Sequence, residues 1–452
     1  MDPYIFREYD IRGRVGKDLT DETVDLIGKG FSVYLIERGV KRISIGGDVR
    51  LSSARFVDIL CRSVTGCGID VVQIGTIPTP VSYFSLFHLD VGGSIMVTGS
   101  HNPAEFNGFK LGVGETTIYG DEIRKVRDLI QKGVFSVGVG KIVTYDIISP
   151  YLDYLKKQFM FSKRLKIVVD AGNGAAALFV PSLLKALGHD IVELYCTVDG
   201  HFPNHHPDPT VEENLTDLKR KVVETGADIG VAYDGDADRI GVVDDEGRVL
   251  WGDYLLLLYA QDILRKTPGQ KIIFEVKCSQ GLVEGIEQAG GEPVMWKTGH
   301  SLLKSKMKET HAPLAGEMSG HMFFADRYFG YDDAIYATLR LMEILIREEK
   351  PLSILRRALP QYHSTPEMRV ECKDDEEKFK IARQAIDYFS AHYKALTIDG
   401  VRILFGDGWG LIRASNTQPI LVLRFEAKTP ERLAEIRQLV IGKLKEFGNV
   451  SV

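Results

Sequence analysis

The sequence has no long apolar run and no dense cluster of basic residues. Its longest purely apolar stretch, around YLLLLYA, is far too short to cross a bilayer. The N-terminal segment MDPYIFREYDIRGR alternates charged with apolar residues and lacks the hydrophobic region of a signal peptide. The formal net charge is −6, and no segment concentrates enough Lys and Arg to follow a nucleic-acid backbone. We therefore expect a cytoplasmic protein that binds neither a membrane nor nucleic acid.

Cysteine is also scarce. The chain has 5 cysteines, and none of them forms a CxxC pair. This usage is typical of a reducing cytoplasm and predicts no structural metal. The histidine-rich segment HFPNHHPDP raises the alternative of a zinc site, but its three prolines and irregular spacing favour a stiff connecting loop.

A repeated pattern organises the chain of 452 residues, which is too long for one core and predicts three or four domains. Stretches beginning at Arg42, Leu165 and Gln270 each read as strand, polar loop, amphipathic helix, glycine stop and second strand. Such βαβ units predict mostly parallel sheets covered by helices. From Arg402 the pattern changes to two strands joined by a polar turn and followed by a helix, which predicts a smaller α+β domain.

The segment TGSHNPAEFNGFK, from Thr98 to Lys110, directly follows the apolar stretch GGSIMV. Its small and turn-forming residues predict an exposed, rigid loop rather than a helix. Loops at the carboxyl end of a strand are where α/β proteins bind their ligands. Ser100, between Gly99 and His101, is therefore a candidate functional residue; the alternative is a solvated turn with an incidental serine.

The segment DGDADR places Asp234, Asp236 and Asp238 between two strand-like runs. In an extended loop alternate side chains point the same way, so the three carboxylates can converge. Converging carboxylates need a cation, and hard oxygen ligands suit Mg²⁺ or Mn²⁺. An EF-hand is excluded because its sixth position would be Arg239 and its twelfth Asp245. A plain Asp-Gly turn leaves the third aspartate unexplained, whereas a phosphorylated Ser100 would supply the missing metal ligand.

Three further polar loops have the composition of ligand-binding segments. RASNTQP (Arg413–Pro419) combines an arginine with hydroxyl and amide groups, as a phosphate dianion requires. GEMSGH (Gly316–His321) places a carboxylate and a hydroxyl two residues apart, which suits neighbouring sugar hydroxyls, and KTGHS adds His300. An ordinary turn, or a histidine satisfied within the core, remains the alternative for each.

Together these loops resemble the α-D-phosphohexomutase superfamily over essentially the whole chain. TGSHNP, DGDADR, GEMSGH and RASNTQP occur in the family's order and at compatible separations. The TGSHNP and GEMSGH loops look more like the bacterial phosphomannomutase/phosphoglucomutase branch than like phosphoglucosamine mutase.

The resemblance implies an α/β fold of four domains around a central cleft. Three domains would share related mixed α/β cores that contain βαβ units, and a smaller C-terminal α+β domain would be a mobile lid. The expected domains are 1–146 with the phosphoserine loop, 147–248 with the metal-binding loop, 249–361 with the sugar-recognition loop and 362–452 with the phosphate-binding loop.

The resemblance also assigns roles to individual residues. Ser100 would be the phosphoserine, and its phosphate would bind Mg²⁺ together with Asp234, Asp236 and Asp238. The groups around the transferring phosphoryl would be His101, Lys110 and Arg239. The residues expected to bind the substrate are Tyr9, Arg12, Lys277, His300, Glu317, Ser319, His321, Arg413, Ser415, Asn416 and Thr417.

The implied activity interconverts hexose 1-phosphate and hexose 6-phosphate, of mannose or glucose or both. O1 and O6 lie on opposite sides of the ring, so a phosphoserine would donate to one oxygen and recover phosphate from the other. Glucose 1,6-bisphosphate or mannose 1,6-bisphosphate would be the intermediate and activator. The partner would be a small phosphorylated hexose, and the protein a monomer or homodimer.

Three alternatives differ in substrate or in chemistry. A phosphoglucosamine mutase would use the same loops on another sugar. A sugar-phosphate phosphatase of the haloacid-dehalogenase type needs a DxDx[TV] loop, and DGDADR lacks that hydroxyl residue. A sugar-phosphate sensor on the same fold would bind without turnover, which the intact Ser100 loop disfavours.

Overall fold

The computed structural model describes residues 2–415 and 419–448. The chain divides into two compact units. The first runs from the N-terminus to Gly252 and also includes Ser319–Phe324 and Tyr331–Leu355. The second contains Asp253–Met318, Ala325–Gly330 and the residues from Arg356 onward. Within the described ranges, no helix is both long enough and apolar enough to span a membrane.

The N-terminal part of the first unit is built on a mixed sheet. Its strands are β1 (Ile11–Arg14), β2 (Arg42–Gly47), β3 (Asp70–Thr76), β4 (Gly93–Val97), β5 (Phe106–Val113), β6 (Thr116–Thr117) and β7 (Ile142–Thr144). They lie in the order β1-β5-β4-β2-β3-β7, with β6 beside β5. The helices are α1 (Asp21–Ile36), α2 (Ser53–Gly66), α3 (Thr79–His88), α4 (Asp121–Lys132) and α5 (Ile148–Gln158).

Helix α1 illustrates how the sequence sets the local structure. Thr20 caps it by accepting a hydrogen bond from the Thr23 N–H, a contact that typically contributes about 1 kcal/mol. Buried apolar residues recur every four positions at Ile27, Phe31 and Leu35, so one face of the helix packs into the core under the sheet.

The strand directions place the segment around Ser100 at one edge of this sheet. β2 and β4 are parallel neighbours that end in register, with Gly47 opposite Val97. The segments that follow them therefore leave the sheet side by side. β5 returns antiparallel to β4 and sets Lys110 opposite Met96.

A second sheet follows within the same unit. Its strands are β8 (Lys166–Asp170), β9 (Asp190–Leu194), β10 (Ile229–Tyr233), β11 (Ile240–Asp244) and β12 (Val249–Leu250), in the order β12-β11-β10-β8-β9. Helices α6 (Val180–Ala186) and α7 (Thr216–Thr225) accompany it. β10 and β11 form an antiparallel hairpin, and residues 234–239 are its loop.

The next segment contributes to both units. Helices α8 (Gly252–Lys266), α9 (Gln280–Gln288) and α10 (His300–Thr310) alternate with strands β13 (Lys271–Glu275), β14 (Glu292–Trp296) and β15 (Leu314–Gly316). Both β14 and β15 pair with β13 in parallel. The chain then returns to the first unit with β16 (Met322–Phe324) and α11 (Ala334–Glu348), and α12 (Leu352–Ala358) follows.

The C-terminal part is an antiparallel sheet with two helices. Its strands are β17 (His363–Ser364), β18 (Met368–Glu371), β19 (Lys394–Leu396), β20 (Val401–Leu404), β21 (Gly408–Ala414) and β22 (Ile420–Ala427). All the pairings described in it are antiparallel. Helices α13 (Asp375–His392) and α14 (Pro430–Phe447) supply buried residues to its core, among them Phe389 and Val440.

The architecture confirms the α/β class predicted from the sequence. Each predicted βαβ unit is present, with parallel pairing of β2 with β3, β8 with β9 and β13 with β14. The α+β character of the C-terminal part is confirmed as well. The 5 cysteines are free thiols. The boundaries that separate the four domains stay a prediction.

Candidate active site

Ser100 lies in the loop between β4 and β5, and its environment corrects one expectation. The residue is only 3% exposed, so the prediction that the loop exposes this serine is wrong. The loop folds back because Ser100 adopts a left-handed conformation with φ of 49° and its N–H donates to the Thr98 hydroxyl at 2.8 Å. Its Oγ lies 3.0 Å from Asp234 Oδ2 and 3.1 Å from His101 Nδ1.

The three predicted aspartates converge in the β10–β11 loop. Each is fully buried, and one carboxylate oxygen from each lies within 4.8 Å of those of the other two. The prediction of an extended loop is wrong, because Ala237 has a positive φ of 59° and its N–H donates to the Asp234 carbonyl. A tight turn, rather than alternation along a strand, brings the carboxylates together.

Positively charged and hydroxyl groups surround these carboxylates. Lys110 Nζ lies 3.0 Å from Asp236 Oδ2 and also contacts Asp238 Oδ2. The Thr79 hydroxyl donates to Asp236 Oδ2 at 2.5 Å, and the Thr79 N–H donates to the Asp236 carbonyl at 2.9 Å. Thr79 follows β3 at the same edge of the sheet, so sheet topology explains its position.

The charges in the aspartate cluster strongly perturb its titration. Burial, followed by the Asp238 and Asp236 carboxylates, raises the pKa of Asp234 well above its usual range. Burial also opposes ionisation of Asp238, but Lys110 and His321 outweigh it and hold its pKa well below the usual range. Burial disfavours the charged form of Lys110, yet Asp236 and Asp238 raise its pKa well above the ordinary value. Lys110 therefore stays protonated as a counter-ion.

The cluster has the chemistry of a divalent-cation site. It offers hard carboxylate oxygens, and Oδ1 of Asp236 is buried without a hydrogen-bond partner among the described residues. With all three carboxylates ionised, as cation binding would require, Lys110 and Arg239 leave a net negative charge, which phosphorylation of Ser100 would increase by up to two charges. A divalent cation suits both the oxygen ligands and the excess negative charge. A second group, Asp238 with His321 and Asp332, overlaps it.

Three more predicted residues of the first unit lie near the same carboxylates. Arg239 Nε is 4.0 Å from Asp234 Oδ2 and donates to His321 Nε2 at 3.2 Å. His321 Nε2 also lies 3.2 Å from Asp238 Oδ1, and the Ser319 hydroxyl lies 3.4 Å from His321 Nδ1. The structure thus brings Arg239, His321 and Ser319 together with the aspartate cluster.

His101 contacts Ser100, and Arg12 contacts Asn102 in the same loop. Burial, and then the Arg239 and Arg12 charges, hold the pKa of His101 well below its ordinary value, so the imidazole is neutral at pH 7. Arg12 on β1 donates to Asn102 Oδ1 at 3.0 Å and pairs with Asp10. Tyr9 is half-buried just before β1.

A second charged cluster lies in the second unit. Lys277 follows β13, and its ammonium is 3.1 Å from Glu367 Oε2. The Lys277 N–H donates to Glu275 Oε2 at 2.7 Å, and the Thr298 hydroxyl donates to the same oxygen at 3.0 Å. Burial disfavours the charged form of Lys277, but Glu367 and Glu275 raise its pKa. Lys277 is therefore a buried residue, 8% exposed, that the neighbouring carboxylates keep protonated.

Two predicted phosphate and sugar residues of this unit, Arg413 and Glu317, lie near the same cluster. Arg413 Nε on β21 lies 3.1 Å from Asp399 Oδ2, and Asp399 also accepts from the Thr298 N–H. Glu317 accepts from the Gly299 N–H at 2.8 Å, next to His300 at the start of α10. The Ser415 carbonyl accepts from Lys378 Nζ at 2.8 Å. Asn416 and Thr417 lie outside the described residues.

Sequence reasoning missed several residues of these two clusters. Thr79, Glu367, Asp332 and Asp399 contact or adjoin the predicted residues. Thr79 could have been found, because it follows the carboxyl end of a parallel strand as Ser100 does. The three acidic residues are isolated in the sequence, so no spacing pattern indicates them.

We expect the Lys277–Glu367 pair to stabilise the fold at neutral pH and to lose that effect in acid. Lys277 holds the pKa of Glu367 at about 2, against an ordinary value of 4.5. A depressed carboxyl pKa contributes stability that is present above the unfolded value and lost as pH falls towards the folded one. Glu367→Gln should lower the free energy of unfolding by roughly 2–3 kcal/mol at pH 7.

Urea unfolding of wild type and Glu367→Gln at pH 7, 4.5 and 3.5 measures the difference between their free energies of unfolding. This difference should become smaller below pH 4.5. Glu371→Gln, at an exposed position on β18, is the matched control and should behave like wild type at each pH. A difference between wild type and Glu367→Gln that stays constant with pH would show that the ion pair does not carry the effect.

Family models match consecutive segments that cover most of the chain. Residues 3–137, 149–247 and 251–362 match the phosphoglucomutase/phosphomannomutase alpha/beta/alpha domains I, II and III. Residues 367–443 match the C-terminal domain of the same family. The four-domain organisation predicted from the sequence is confirmed.

Named relatives agree with these matches. The chain is 45% identical over 441 residues to a phosphomannomutase/phosphoglucomutase of Pseudomonas aeruginosa, covering 98% of this chain and 95% of the relative. It is 44% identical over 437 residues to a phosphoglucomutase of Neisseria gonorrhoeae, covering 96% and 95%. A crystal structure of a phosphoglucomutase/phosphomannomutase family protein from Burkholderia thailandensis superposes with a TM-score of 0.94 at 41% identity, over 100% of both chains. The resemblance read from the loops is confirmed: the chain belongs to the phosphoglucomutase/phosphomannomutase family of α-D-phosphohexomutases.

Proposed function

We propose that the protein interconverts hexose 1-phosphate and hexose 6-phosphate through a phosphoserine at Ser100. One observation carries this proposal: the Ser100 hydroxyl lies 3.0 Å from a buried carboxylate of the aspartate cluster. Ser100 adopts a left-handed conformation, which is disfavoured for serine, with its hydroxyl beside the converging carboxylates. A phosphoryl group on that oxygen would complete a cation site and be ready for transfer.

The chemistry requires two transfers. In the first, a sugar hydroxyl attacks phosphorus, the Ser100 Oγ–P bond breaks, and a hexose 1,6-bisphosphate forms. In the second, Ser100 Oγ attacks the other phosphate, the bond between that phosphorus and the sugar oxygen breaks, and the isomerised monophosphate leaves. The neutral His101 imidazole lies 3.1 Å from Oγ, so it can accept the serine proton in the second transfer. The proton that the attacking sugar hydroxyl loses in the first transfer balances the proton that the departing sugar oxygen gains in the second.

Charge neutralisation supports both transfers. Lys110 is held protonated beside Asp236 and Asp238, and Arg239 Nε lies 4.0 Å from Asp234 Oδ2, so both cations are positioned before reaction. Asp234, Asp236 and Asp238 would hold Mg²⁺, which when bound supplies further neutralisation of phosphoryl charge. Positioning and fixed charge, rather than covalent chemistry by many groups, are what phosphoryl transfer demands.

The remaining polar residues are proposed to bind the substrate. Glu317 and Ser319 are assigned to sugar hydroxyls, and Arg413 with Ser415, Asn416 and Thr417 to the phosphate that is not reacting. Tyr9, Arg12, Lys277, His300 and His321 complete the set. Glucose and mannose differ only at C2, so contacts to O3 and O4 would accept both. We further propose a cytoplasmic monomer or homodimer whose activator is glucose or mannose 1,6-bisphosphate.

A coupled assay with three sugar phosphates tests this function. Glucose 1-phosphate and mannose 1-phosphate should both be isomerised after a trace of bisphosphate is added, while glucosamine 1-phosphate should react poorly. Turnover of glucosamine 1-phosphate alone would indicate a phosphoglucosamine mutase. Release of inorganic phosphate would indicate a phosphatase, and binding without turnover a sensor.

Replacing Arg413 should weaken the binding of both sugars equally. Arg413 is 6% exposed and held by Asp399, so its guanidinium is fixed before a phosphate arrives. Loss of a charged hydrogen-bond partner costs about 1.5–3 kcal/mol, which is roughly ten- to hundredfold in binding. Arg413→Ala should raise KM for glucose 1-phosphate and mannose 1-phosphate by that factor and release more bisphosphate.

Steady-state kinetics on both sugars measure the effect of Arg413→Ala. Arg437→Ala, on the exposed side of α14, is the control and should leave KM unchanged. An unchanged KM for Arg413→Ala contradicts the proposed role. A defect confined to one sugar would mean that Arg413 reads sugar identity and that another group holds the phosphate.

A further inference from the structure

A single buried arginine holds the backbone of the loop that carries Ser100. The side chain of Arg50 is 0% exposed. Its Nη1 donates to the carbonyls of Pro103 and Phe106 at 2.7 and 2.9 Å. Its Nη2 donates to the carbonyls of Ser100 and Asn102, both at 2.6 Å. Four carbonyls within seven residues thus converge on one guanidinium.

These contacts leave Arg50 no Nη group with which to bind a phosphate. A guanidinium carries two N–H groups on each Nη, and the four carbonyls use all of them. The remaining nitrogen, Nε, faces Asp48 Oδ2 at 3.3 Å. Arg50 can therefore influence a ligand only through the loop that it holds.

Asp48 fixes the amide side of the same loop. Its Oδ2 accepts from the Thr98 hydroxyl at 2.8 Å and from the Gly99 N–H at 3.3 Å. The Thr98 hydroxyl oxygen in turn accepts from the Ser100 N–H. Both the N–H and the carbonyl of Ser100 are thus tied, directly or through one side chain, to the Asp48–Arg50 ion pair.

The fold explains why this pair reaches Ser100. β2 and β4 end in register, so Asp48 and Arg50 leave the sheet beside Thr98 and Ser100. The contact is close: a Cβ at Gly99 would lie 2.6 Å from Arg50 Cζ. The ring of Phe202, from the HFPNHHPDP segment, lies 5.1 Å from Arg50 Cζ on another side. That segment therefore covers the arginine.

We propose that Arg50, supported by Asp48, is a positioning residue that fixes Ser100 Oγ for phosphoryl transfer. A left-handed serine is disfavoured and persists only where its surroundings hold it, and here Arg50 holds the Ser100 carbonyl and Thr98 its N–H. A shift of about 1 Å in a reacting atom costs on the order of a hundredfold in rate. The inference rests on the proposed function, because it assigns Arg50 a role in that reaction.

Arg50→Lys tests the proposal because it keeps the charge but replaces the planar fork with one nitrogen. We expect kcat on glucose 1-phosphate to fall about a hundredfold, with KM changed less than about threefold, because no ligand contact is lost. Phosphorylation of Ser100 by glucose 1,6-bisphosphate should slow by the same factor. Amide hydrogen exchange in the peptide 98–109 should rise.

Further variants separate an effect on catalysis from an effect on protein stability. Arg340→Lys alters another buried arginine of the first unit, one that packs 4.7 Å from the Phe324 ring, and should retain kcat. If Arg50→Lys does not fold, Thr98→Val and Thr98→Ser test the other side of the loop. Val removes the hydroxyl that holds the Ser100 N–H and should lower kcat, whereas Ser keeps it and should behave like wild type.

Three results would be decisive against the proposal or its premise. A lower melting temperature with unchanged kcat would make Arg50 a stabilising residue only. A raised KM with unchanged kcat would make it a ligand contact, contrary to the four occupied Nη N–H groups. If wild-type Ser100 accepts no phosphate at all, the proposed function fails, and hydrogen exchange alone then shows whether Arg50 holds the loop.

Discussion

Ser100→Ala should abolish mutase turnover, with kcat lower by about four orders of magnitude or more, as when the nucleophile of a covalent mechanism is removed. The alanine carries no phosphoryl group to donate in the first transfer and has no oxygen to accept one in the second. The fold should persist, because the backbone contacts of Arg50 and the Thr98 hydroxyl to residue 100 do not use the side chain. Binding of glucose 1-phosphate should therefore survive, and calorimetry would measure it beside the coupled assay.

Two observations complete that experiment. Ser136→Ala, a partly buried serine beyond α4, is the matched control and should retain full activity. Intact mass should show a phosphate-sized addition on wild type after treatment with glucose 1,6-bisphosphate, and none on Ser100→Ala. Phosphate found on another residue, together with an active Ser100→Ala protein, would exclude the phosphoserine mechanism.

Asp236→Asn should lower activity by a factor on the order of 10²–10³ and weaken Mg²⁺ binding. Asp236 contributes one of the three converging carboxylates, and its Oδ1 is a buried oxygen without a hydrogen-bond partner among the residues that the structure describes. The amide removes one negative charge and one hard oxygen, so Lys110 then neutralises more of the remaining cluster. High Mg²⁺ should restore part of the activity by mass action.

Titration calorimetry with Mg²⁺ and kinetics across Mg²⁺ concentrations measure both effects. Asp153→Asn, at an exposed position of α5, is the control and should change neither. Wild-type activity of Asp236→Asn without added metal would make the cluster a structural turn.

The sequence predicted the parts of the molecule whose signals are local. The βαβ units were readable because apolar strands, amphipathic helices and glycine stops follow one another within about thirty residues. The Ser100 and Asp234–Asp238 loops were readable because turn-forming residues and repeated carboxylates interrupt apolar strands. Composition at the loops therefore identified the phosphoserine and metal candidates without a structure.

What the sequence could not give depends on contacts between distant segments. Ser100 is buried by packing at the sheet edge. The polar, turn-forming residues of its loop give no sign of that packing, so the loop was wrongly expected to be exposed. The turn at Ala237 replaced an extended loop because a positive φ at alanine has no sequence signal. Arg50 lies fifty residues before Ser100, and only the register of β2 and β4 brings them together.

The most direct test of the account follows one labelled phosphate through a single turnover. Enzyme carrying ³²P on Ser100 is mixed with unlabelled glucose 1-phosphate and quenched at successive times. The account predicts that the label leaves Ser100, appears first in glucose 1,6-bisphosphate and then in glucose 6-phosphate, at O6, while Ser100 regains unlabelled phosphate. Label recovered as inorganic phosphate, or label retained on Ser100 while glucose 6-phosphate forms, would contradict it.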